Sequence, residues 1–315
     1  MRIAVVGAGA VGGYFGGRLA EAGEDVTFIA RGAHLEAIRE RGLEVRSTEG
    51  DFTIRPASAT DDPGSVGPVD AVLVAVKAWQ LPEAASGMRP MVEDRTAVVP
   101  LLNGIEAPDV LREALGPAPV LGGLCRILAH RSAPGRIDHT GFSPTIEFGE
   151  LDGSRSERAV TLLAAFERAR GVEATLSDDI QRAMWMKLVF IAAMSAVGAA
   201  TRAPIGVTRS IPETRDLLTR AFDEVRAVAR ARGVGLPEDL GSRLLGFVDA
   251  LPEGEVTSMQ RDVLAGRPSE LEAQVGAVVR LGRKVGVPTP VHEILYATLL
   301  PQERRARGED PPVAP

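Results

Sequence analysis

The chain has 315 residues, of which 45% are hydrophobic and 25% charged, as in an ordinary soluble globular protein of about two domains. Its net charge of −6 disfavours a surface that binds nucleic acid or an anionic membrane. The single cysteine, Cys125, excludes an intrachain disulfide and fits a reducing compartment such as the cytoplasm. The four histidines have no metal-ligand spacing, so we expect no metal site.

The first half of the chain alternates short apolar runs with amphipathic segments. This alternation predicts a doubly wound α/β sheet of the Rossmann type, in which helices cover both faces of parallel strands. A hairpin follows the second helix, and three later strands are expected to close the sheet in antiparallel fashion. The predicted strands lie at residues 2–6, 25–31, 43–47, 52–57, 70–77, 96–102, 120–129, 136–139 and 145–148, and the predicted helices at 11–22, 32–41, 81–92 and 106–115.

From residue 150 onward the predicted elements are helices, at about 154–170, 179–200, 212–233, 237–248, 256–265, 269–286 and 290–301. We therefore expect an N-terminal Rossmann domain over 1–175, an all-helical domain over 176–303, and a charged, proline-rich, disordered tail over 304–315. The run 183–200 is apolar enough to suggest a membrane span. Because a lysine inside a lone span is costly, Lys187 makes a buried core helix the better interpretation.

A glycine-rich loop lies between the first predicted strand and the first helix. The GxGxxG pattern alone is weak evidence, but here a strand precedes it, a helix follows it, and a second strand lies about 20 residues on. The first glycine permits the tight turn, the second lets the backbone approach a pyrophosphate, and the third lets helix and strand pack closely. The loop predicts a dinucleotide site formed by Gly7, Ala8, Gly9, Ala10, Val11 and Gly12; the alternative is a glycine turn without a ligand.

The residue that ends the second predicted strand selects between the two nicotinamide dinucleotides. A carboxylate there would accept a hydrogen bond from the ribose 2′-OH of NAD, but this strand has no Asp or Glu between Val26 and its end at Arg31. An arginine can hold a 2′-phosphate by bidentate, charge-assisted bonds. We therefore predict NADP(H) as the cofactor; the alternative is that Arg31 only caps a surface helix.

Several motifs, in order along the chain, carry a resemblance to a known family. They are the loop Gly7–Gly12, Arg31 with Leu35 and Ile38, Val76-Lys77-Ala78-Trp79-Gln80, Asn103-Gly104, Trp185-Met186-Lys187-Leu188, and Ser258-Met259 followed by Asp262 and Glu270. Up to about residue 303 the chain thus resembles 2-dehydropantoate 2-reductase (ketopantoate reductase), which reduces ketopantoate to D-pantoate with NADPH. The resemblance implies a small 2-oxo acid as substrate, and a homodimer is compatible with it.

The resemblance also assigns roles to individual residues. It implies that Lys187 is the general acid that protonates the alkoxide formed by hydride transfer, with Glu270 ordering the lysine and the bound ligands. Lys77 would contact the cofactor, Asn103 both cofactor and substrate, and Ser258 the carboxylate of the substrate. From the residues alone, other interpretations stay open: a surface lysine at a strand end, a turn asparagine, a buried ion pair at Lys187, and helix caps or exposed helix positions for Glu270 and Ser258.

The helix that contains Lys187 departs from the family pattern. The resemblance leads us to expect asparagines one and two turns after the lysine, where this chain has Ile191 and Ser195. Ile191 cannot hydrogen-bond a ligand. Ser195 can, and we expect it to bind the substrate, but its reach is shorter than that of asparagine, so we expect a less polar substrate pocket. Three outcomes stay open: weaker binding of ketopantoate, a related 2-oxo acid, or a non-catalytic NADP(H)-binding or sensor protein.

Overall fold

The computed structural model describes residues 1–309, which form two compact units. The first unit comprises Met1–Leu102 and Ala107–Ala183, and the second comprises Asn103–Glu106 and the chain from Met184 onward. In chain order, the elements up to residue 176 are β1 (Arg2–Val6), α1 (Ala10–Glu21), β2 (Asp25–Ile29), α2 (Gly32–Arg41), β3 (Leu43–Ser47), β4 (Phe52–Ile54), β5 (Ser58–Thr60), β6 (Ala71–Val74), α3 (Leu81–Gly87), β7 (Ala97–Pro100), α4 (Ala107–Leu115), β8 (Gly122–Ala133), β9 (Arg136–Gly149), α5 (Glu157–Arg168) and β10 (Glu173–Leu176).

Five parallel strands form the main sheet of the first unit, in the order β5-β2-β1-β6-β7. The strands β6 and β7 are fully buried, as is β1 after its first residue, because helices cover a parallel sheet on both faces. The sheet topology confirms the predicted doubly wound fold. Its strand order reverses between β1 and β6, and ligands of such sheets bind at the carboxyl ends of the strands beside this point.

The strands β8 and β9 do not close the main sheet, so that prediction was wrong. They belong to a second sheet in the order β10-β9-β3-β4, in which β8 pairs with β9 in antiparallel fashion. The strand β9 merges two predicted strands and runs parallel to both β3 and β10. Alternation of apolar and polar residues marks the faces of a strand but does not name its partner, which long-range pairing decides.

The second unit is helical, as predicted. Its elements are α6 (Ile180–Thr201), α7 (Ile205–Ser210), α8 (Pro212–Ala231), α9 (Leu240–Ala250), α10 (Ser258–Leu264), α11 (Ala277–Val285) and α12 (Pro290–Arg307). The predicted helix over 269–286 is not one regular helix, since Glu272–Gly276 is a π-helical segment that leads into α11. Such segments are rare and occur often at functional sites.

The core of the helical unit follows from the sequence patterns of α6 and α8. The helix α6 is apolar on every side and therefore lies inside the unit. The helix α8 is amphipathic: it buries Leu218, Phe222 and Val225 on one face and begins with Pro212, which fits the first turn of a helix. In the described part of the chain, α6 is also the helix long and apolar enough to cross a membrane, but 67% of its most apolar window is buried inside the protein.

Two predicted boundaries differ from those of the structure. The strand β10, which pairs with β9, carries the first unit past the predicted limit of 175, to Ala183. The helix α12 continues to Arg307 and ends at Gly308, whose φ of 74° suits a glycine helix end. The prediction of disorder from residue 304 is therefore wrong for 304–307, and residues 310–315 lie outside the described residues.

Candidate active site

The glycine loop joins β1 to α1 with the geometry that its three glycines predict. Gly7 has a φ of 97°, and a Cβ there would lie 2.8 Å from the backbone of Ala75 just after β6. A Cβ on Gly12 would lie 2.2 Å from the carbonyl oxygen of Gly7 and 2.8 Å from Cγ1 of Val5. The turn and the close helix–strand packing therefore need glycine at both positions.

The middle of the loop faces open space. A Cβ built on Gly9 would meet no atom within 4 Å, and Gly9 is the N-cap of α1 without a side-chain cap. The first turn of α1 contains no acidic residue, so its backbone N–H groups and helix dipole favour an anion. This cradle at the topological switch point fits the pyrophosphate of a dinucleotide.

The side chain of His34 is hydrogen-bonded to the glycine loop, a contact that the sequence analysis missed. Its Nε2–H donates to the carbonyl oxygen of Ala8 at 2.6 Å, and its Nδ1 accepts from the N–H of Gly135 at 2.9 Å. Both bonds need the neutral ring with its proton on Nε2. Burial lowers the pKa of His34 below its usual value, which favours this neutral form.

Arg31 lies two residues after the end of β2, not within that strand as predicted, and precedes α2 as its N-cap residue. Its guanidinium donates to Oε1 of Glu83, on α3, at 2.8 Å, and both side chains are 72% exposed. Because the pair is exposed, Arg31 can exchange this carboxylate for a ligand phosphate at small cost. Glu83 is a further residue that the sequence analysis did not identify.

Lys77 follows β6, the strand beside β1 in the main sheet. Its ammonium lies 5.8 Å from the centre of the Trp79 ring, within the range of a cation–π interaction. The glycine loop contacts Ala75 and Val76 at the end of the same strand. The first unit therefore brings Lys77 and the glycine loop to one edge of the sheet.

Asn103 and Glu270 meet directly in the second unit. The Asn103 side-chain amide donates to Oε2 of Glu270 at 3.0 Å, although the residues are 167 positions apart. Gly104, with a φ of 104°, is needed beside them because a Cβ there would lie 2.7 Å from the carbonyl oxygen of Ala273. Only 5% of Glu270 is exposed, so the bond satisfies a nearly buried carboxylate.

The helix α6 presents Lys187, Ile191 and Ser195 at successive turns of one face. Lys187 and Ile191 are half-buried, whereas Ser195 is fully buried and its hydroxyl has no hydrogen-bond partner among residues 1–309. Ile191 therefore stands next to the proposed general acid on this face, where the resemblance implied an asparagine. The position at which the chain departs from the family pattern, Ile191, therefore lies on the half-buried part of α6.

Ser258 is the first residue of α10, and Thr257 is its N-cap. The hydroxyl of Thr257 accepts from the N–H of Gln260, so the cap does not use Ser258. This answers the alternative in which Ser258 was itself the helix cap. The side chain of Ser258 is half-buried.

Across residues 1–309, no group of three His, Cys, Asp or Glu side chains has an arrangement that could hold a metal ion. Among the histidines, His34 contacts the glycine loop and His292 pairs with Glu224 at 2.7 Å.

Comparison with protein families gives two matches that together span most of the chain. The family model described as "Ketopantoate reductase PanE/ApbA" matches residues 3–153. The model described as "Ketopantoate reductase PanE/ApbA C terminal" matches residues 179–303. The first match contains the glycine loop, Arg31, Lys77 and Asn103, and the second contains Lys187 and Glu270.

Individual relatives match over nearly their whole length. A 2-dehydropantoate 2-reductase of Mesorhizobium japonicum is 34% identical over 94% of this chain and 96% of the relative. An uncharacterized oxidoreductase of Bacillus subtilis, YkpB, is 32% identical over 95% of this chain and 98% of the relative. The crystal structure of a PanE/ApbA family ketopantoate reductase from Ralstonia eutropha superposes with a TM-score of 0.89 and 32% identity, covering 98% of this chain and all of that chain.

Proposed function

The chain belongs to the ketopantoate reductase family, whose members are oxidoreductases acting on 2-oxo acids, and we propose that it reduces 2-dehydropantoate to D-pantoate with NADPH. The observation that carries the proposal is the hydrogen bond between Asn103 and Glu270, since it unites two residues that the resemblance assigns to the ligand site. The glycine cradle supports the cofactor, and exposed Arg31 supports its 2′-phosphate.

The reduction needs a hydride at the ketone carbon and a proton at the ketone oxygen. When bound, the reduced nicotinamide supplies the hydride. Lys187 gives a proton from its ammonium to the oxygen as negative charge develops there, which yields the alcohol and a neutral amine. Glu270 fixes the amide of Asn103, which leaves the Asn103 carbonyl oxygen available to accept from a ligand hydroxyl or amide. Ser258 donates from its hydroxyl to the carboxylate of the substrate.

A panel of 2-oxo acids tests the proposal, with NADPH oxidation as the readout. Ketopantoate should be the best substrate, and Lys187→Ala should lower kcat by about 100-fold or more, as expected for loss of a general acid. Lys284→Ala, at an exposed position in the last turn of α11, is the matched control and should keep the activity of the parent. Activity on none of the acids, or full activity in Lys187→Ala, would contradict the reduction or the role of Lys187, respectively.

Two alternatives rest on the α6 face. Half-buried Ile191 favours a 2-oxo acid with a larger apolar side chain, which the same panel would reveal as a higher kcat/KM than that of ketopantoate. A non-catalytic NADP(H)-binding or sensor protein is favoured by the loss of hydrogen-bonding capacity at Ile191 and the burial of Ser195. Calorimetry that shows tight NADPH binding without turnover would support this second alternative.

We also propose that the protein works in the cytoplasm and pairs as a homodimer. The single, buried Cys125 supports a reducing compartment, and symmetric dimers are the commonest soluble oligomers. Light scattering of the purified chain tests the dimer, which a monomeric mass at micromolar concentration would contradict.

A further inference from the structure

The chain just before Glu270 is fixed by the last turns of α12. Glu303, on that helix, is a carboxylate with 5% of its surface exposed, and the segment that it binds begins at Ser269, which is fully buried. The two residues are 34 positions apart. A carboxylate this deep is costly unless every oxygen is hydrogen-bonded or paired with a cation, so its partners identify its task.

Glu303 meets this condition through Ser269 and Arg307. The N–H of Ser269 donates to both carboxylate oxygens, at 3.0 and 3.1 Å, and its hydroxyl donates to Oε2 at 2.5 Å. Arg307, one turn on, donates from Nε to Oε1 of Glu303 at 2.7 Å and from a terminal nitrogen to the Ser269 carbonyl oxygen at 2.9 Å. The N–H, the hydroxyl and the carbonyl oxygen of Ser269 are therefore all bonded to residues of α12. The Ser269 hydroxyl oxygen also accepts from the N–H of Leu271 at 3.3 Å.

The residue between Ser269 and Leu271 is Glu270, the partner of Asn103. With the backbone fixed on both sides, the Glu270 carboxylate has little freedom to leave the Asn103 amide. The neighbouring π-helical segment, Glu272–Gly276, begins one residue after this fixed stretch. The contacts thus form a continuous path from Arg307 through Glu303 and Ser269 to the proposed ligand site, within the helical unit.

We propose that Glu303 is a positioning residue for the reaction: it acts through Ser269 to hold Glu270 against Asn103. The inference rests on the proposed function, because it assigns Glu303 to a site that the proposed function defines. The role is indirect, because Glu303 bonds to Ser269 and Arg307. Its loss should leave the fold intact but let the segment around Glu270 move, so substrate and cofactor would meet a disordered carboxylate.

The test compares Glu303→Gln with a matched control, Glu224→Gln, on α8, whose carboxylate binds the opposite end of α12. Glu224 is also an enclosed carboxylate: it accepts from the N–H of Val291 at 2.7 Å, from the N–H of His292 at 3.0 Å, and from Nδ1 of His292 at 2.7 Å. Glu224→Gln thus weakens a similar buried cluster that has no contact path to Glu270 among these bonds. Both variants are assayed well below their Tm, so the folded fraction is the same.

In Glu303→Gln we expect kcat/KM with NADPH to fall by about tenfold or more, and in Glu224→Gln by less than about twofold. Amide hydrogen exchange, measured without ligands, should speed up over 269–276 in Glu303→Gln and stay unchanged there in Glu224→Gln. If Glu303→Gln does not fold, Ser269→Ala removes the hydroxyl contacts alone and should show the same two effects at smaller size. Equal kinetic losses in both glutamine variants, or unchanged exchange over 269–276, would overturn the proposal.

The two readouts separate this inference from the proposed function. If the parent protein turns over no 2-oxo acid, the proposed function fails, and hydrogen exchange still decides whether Glu303 orders the segment. If the parent is active and Glu303→Gln keeps its kcat/KM, the positioning role fails while the proposed function stands.

Discussion

Replacing Arg31 by alanine should separate the two nicotinamide dinucleotides. The Arg31 side chain is 72% exposed and pairs with Glu83 at 2.8 Å, so it is accessible to a ligand and already oriented by a carboxylate. A 2′-phosphate would take the place of that carboxylate, whereas the 2′-OH of NADH offers no charge to bind. We therefore expect Arg31→Ala to weaken NADPH binding and to leave NADH binding nearly unchanged.

The magnitude follows from the bonds exchanged. Hydrogen bonds to a charged group contribute about 1.5–3 kcal/mol each, and the exposed pair with Glu83 that must open is worth about 0–1 kcal/mol. The net loss for one such bond is then about 0.5–3 kcal/mol, or about 2- to 150-fold in Kd. Removal of the competing carboxylate by Glu83→Gln should act in the opposite direction and raise NADPH affinity by a few fold, since like charges repel.

Calorimetric titration with both dinucleotides measures these effects. Arg41→Ala, an exposed arginine at the end of α2, is the control and should bind both dinucleotides like the parent. Equal losses for NADPH and NADH in Arg31→Ala would refute the reasoning, because they would show that Arg31 supports the loop and does not recognise the 2′-phosphate. The difference between the two dinucleotides should also shrink as salt is added.

Three further predictions concern stability. Burial lowers the pKa of His34 in the folded protein, so the His34 ring holds a proton more tightly in the unfolded chain. The free energy of unfolding should therefore fall as the pH drops below about 6.5 and level off below the folded pKa of His34. Urea titrations over this pH range should show a smaller fall in His34→Gln. Gly12→Ala should abolish NADPH binding or folding, since its Cβ would lie 2.2 Å from a backbone oxygen; calorimetry that finds parental affinity contradicts this. Phe222→Ala should lower the free energy of unfolding by about 3–5 kcal/mol, as measured by urea titration. A loss below about 1 kcal/mol would mean that the core collapses around the cavity.

Features that depend on neighbouring residues were predictable. The glycine loop follows from residues 7–12 alone, because each glycine answers a steric demand of one turn. The helix α6 followed from composition, since an apolar segment with one lysine must be buried inside a protein. The assignment of both Asn103 and Glu270 to a ligand site required the family resemblance, because 167 residues separate them, and their direct hydrogen bond was not predicted.

Features set by distant pairing were not predictable. The strand β9 lies beside β3 because Ile137 pairs with Val45 across the sheet, and no local pattern in either strand names the other. His34 looked like a scattered histidine until the fold brought its ring to the carbonyl oxygen of Ala8. The disordered tail was predicted from its charged residues and prolines. These do not reveal that Arg307 pairs with the buried carboxylate of Glu303.

The short loop Asn103–Glu106 belongs to the helical unit, although the strand before it and the helix after it belong to the other. A gene fragment that starts at Met184 would therefore encode an incomplete unit. It would leave Glu270 without the amide that it binds at 3.0 Å, and Arg280 without the carboxylate of Glu106 at 2.6 Å. Any single cut between the two units would separate residues 103–106 from the helical unit to which they belong. The properties measured on such fragments are therefore expected to differ from those of the intact units.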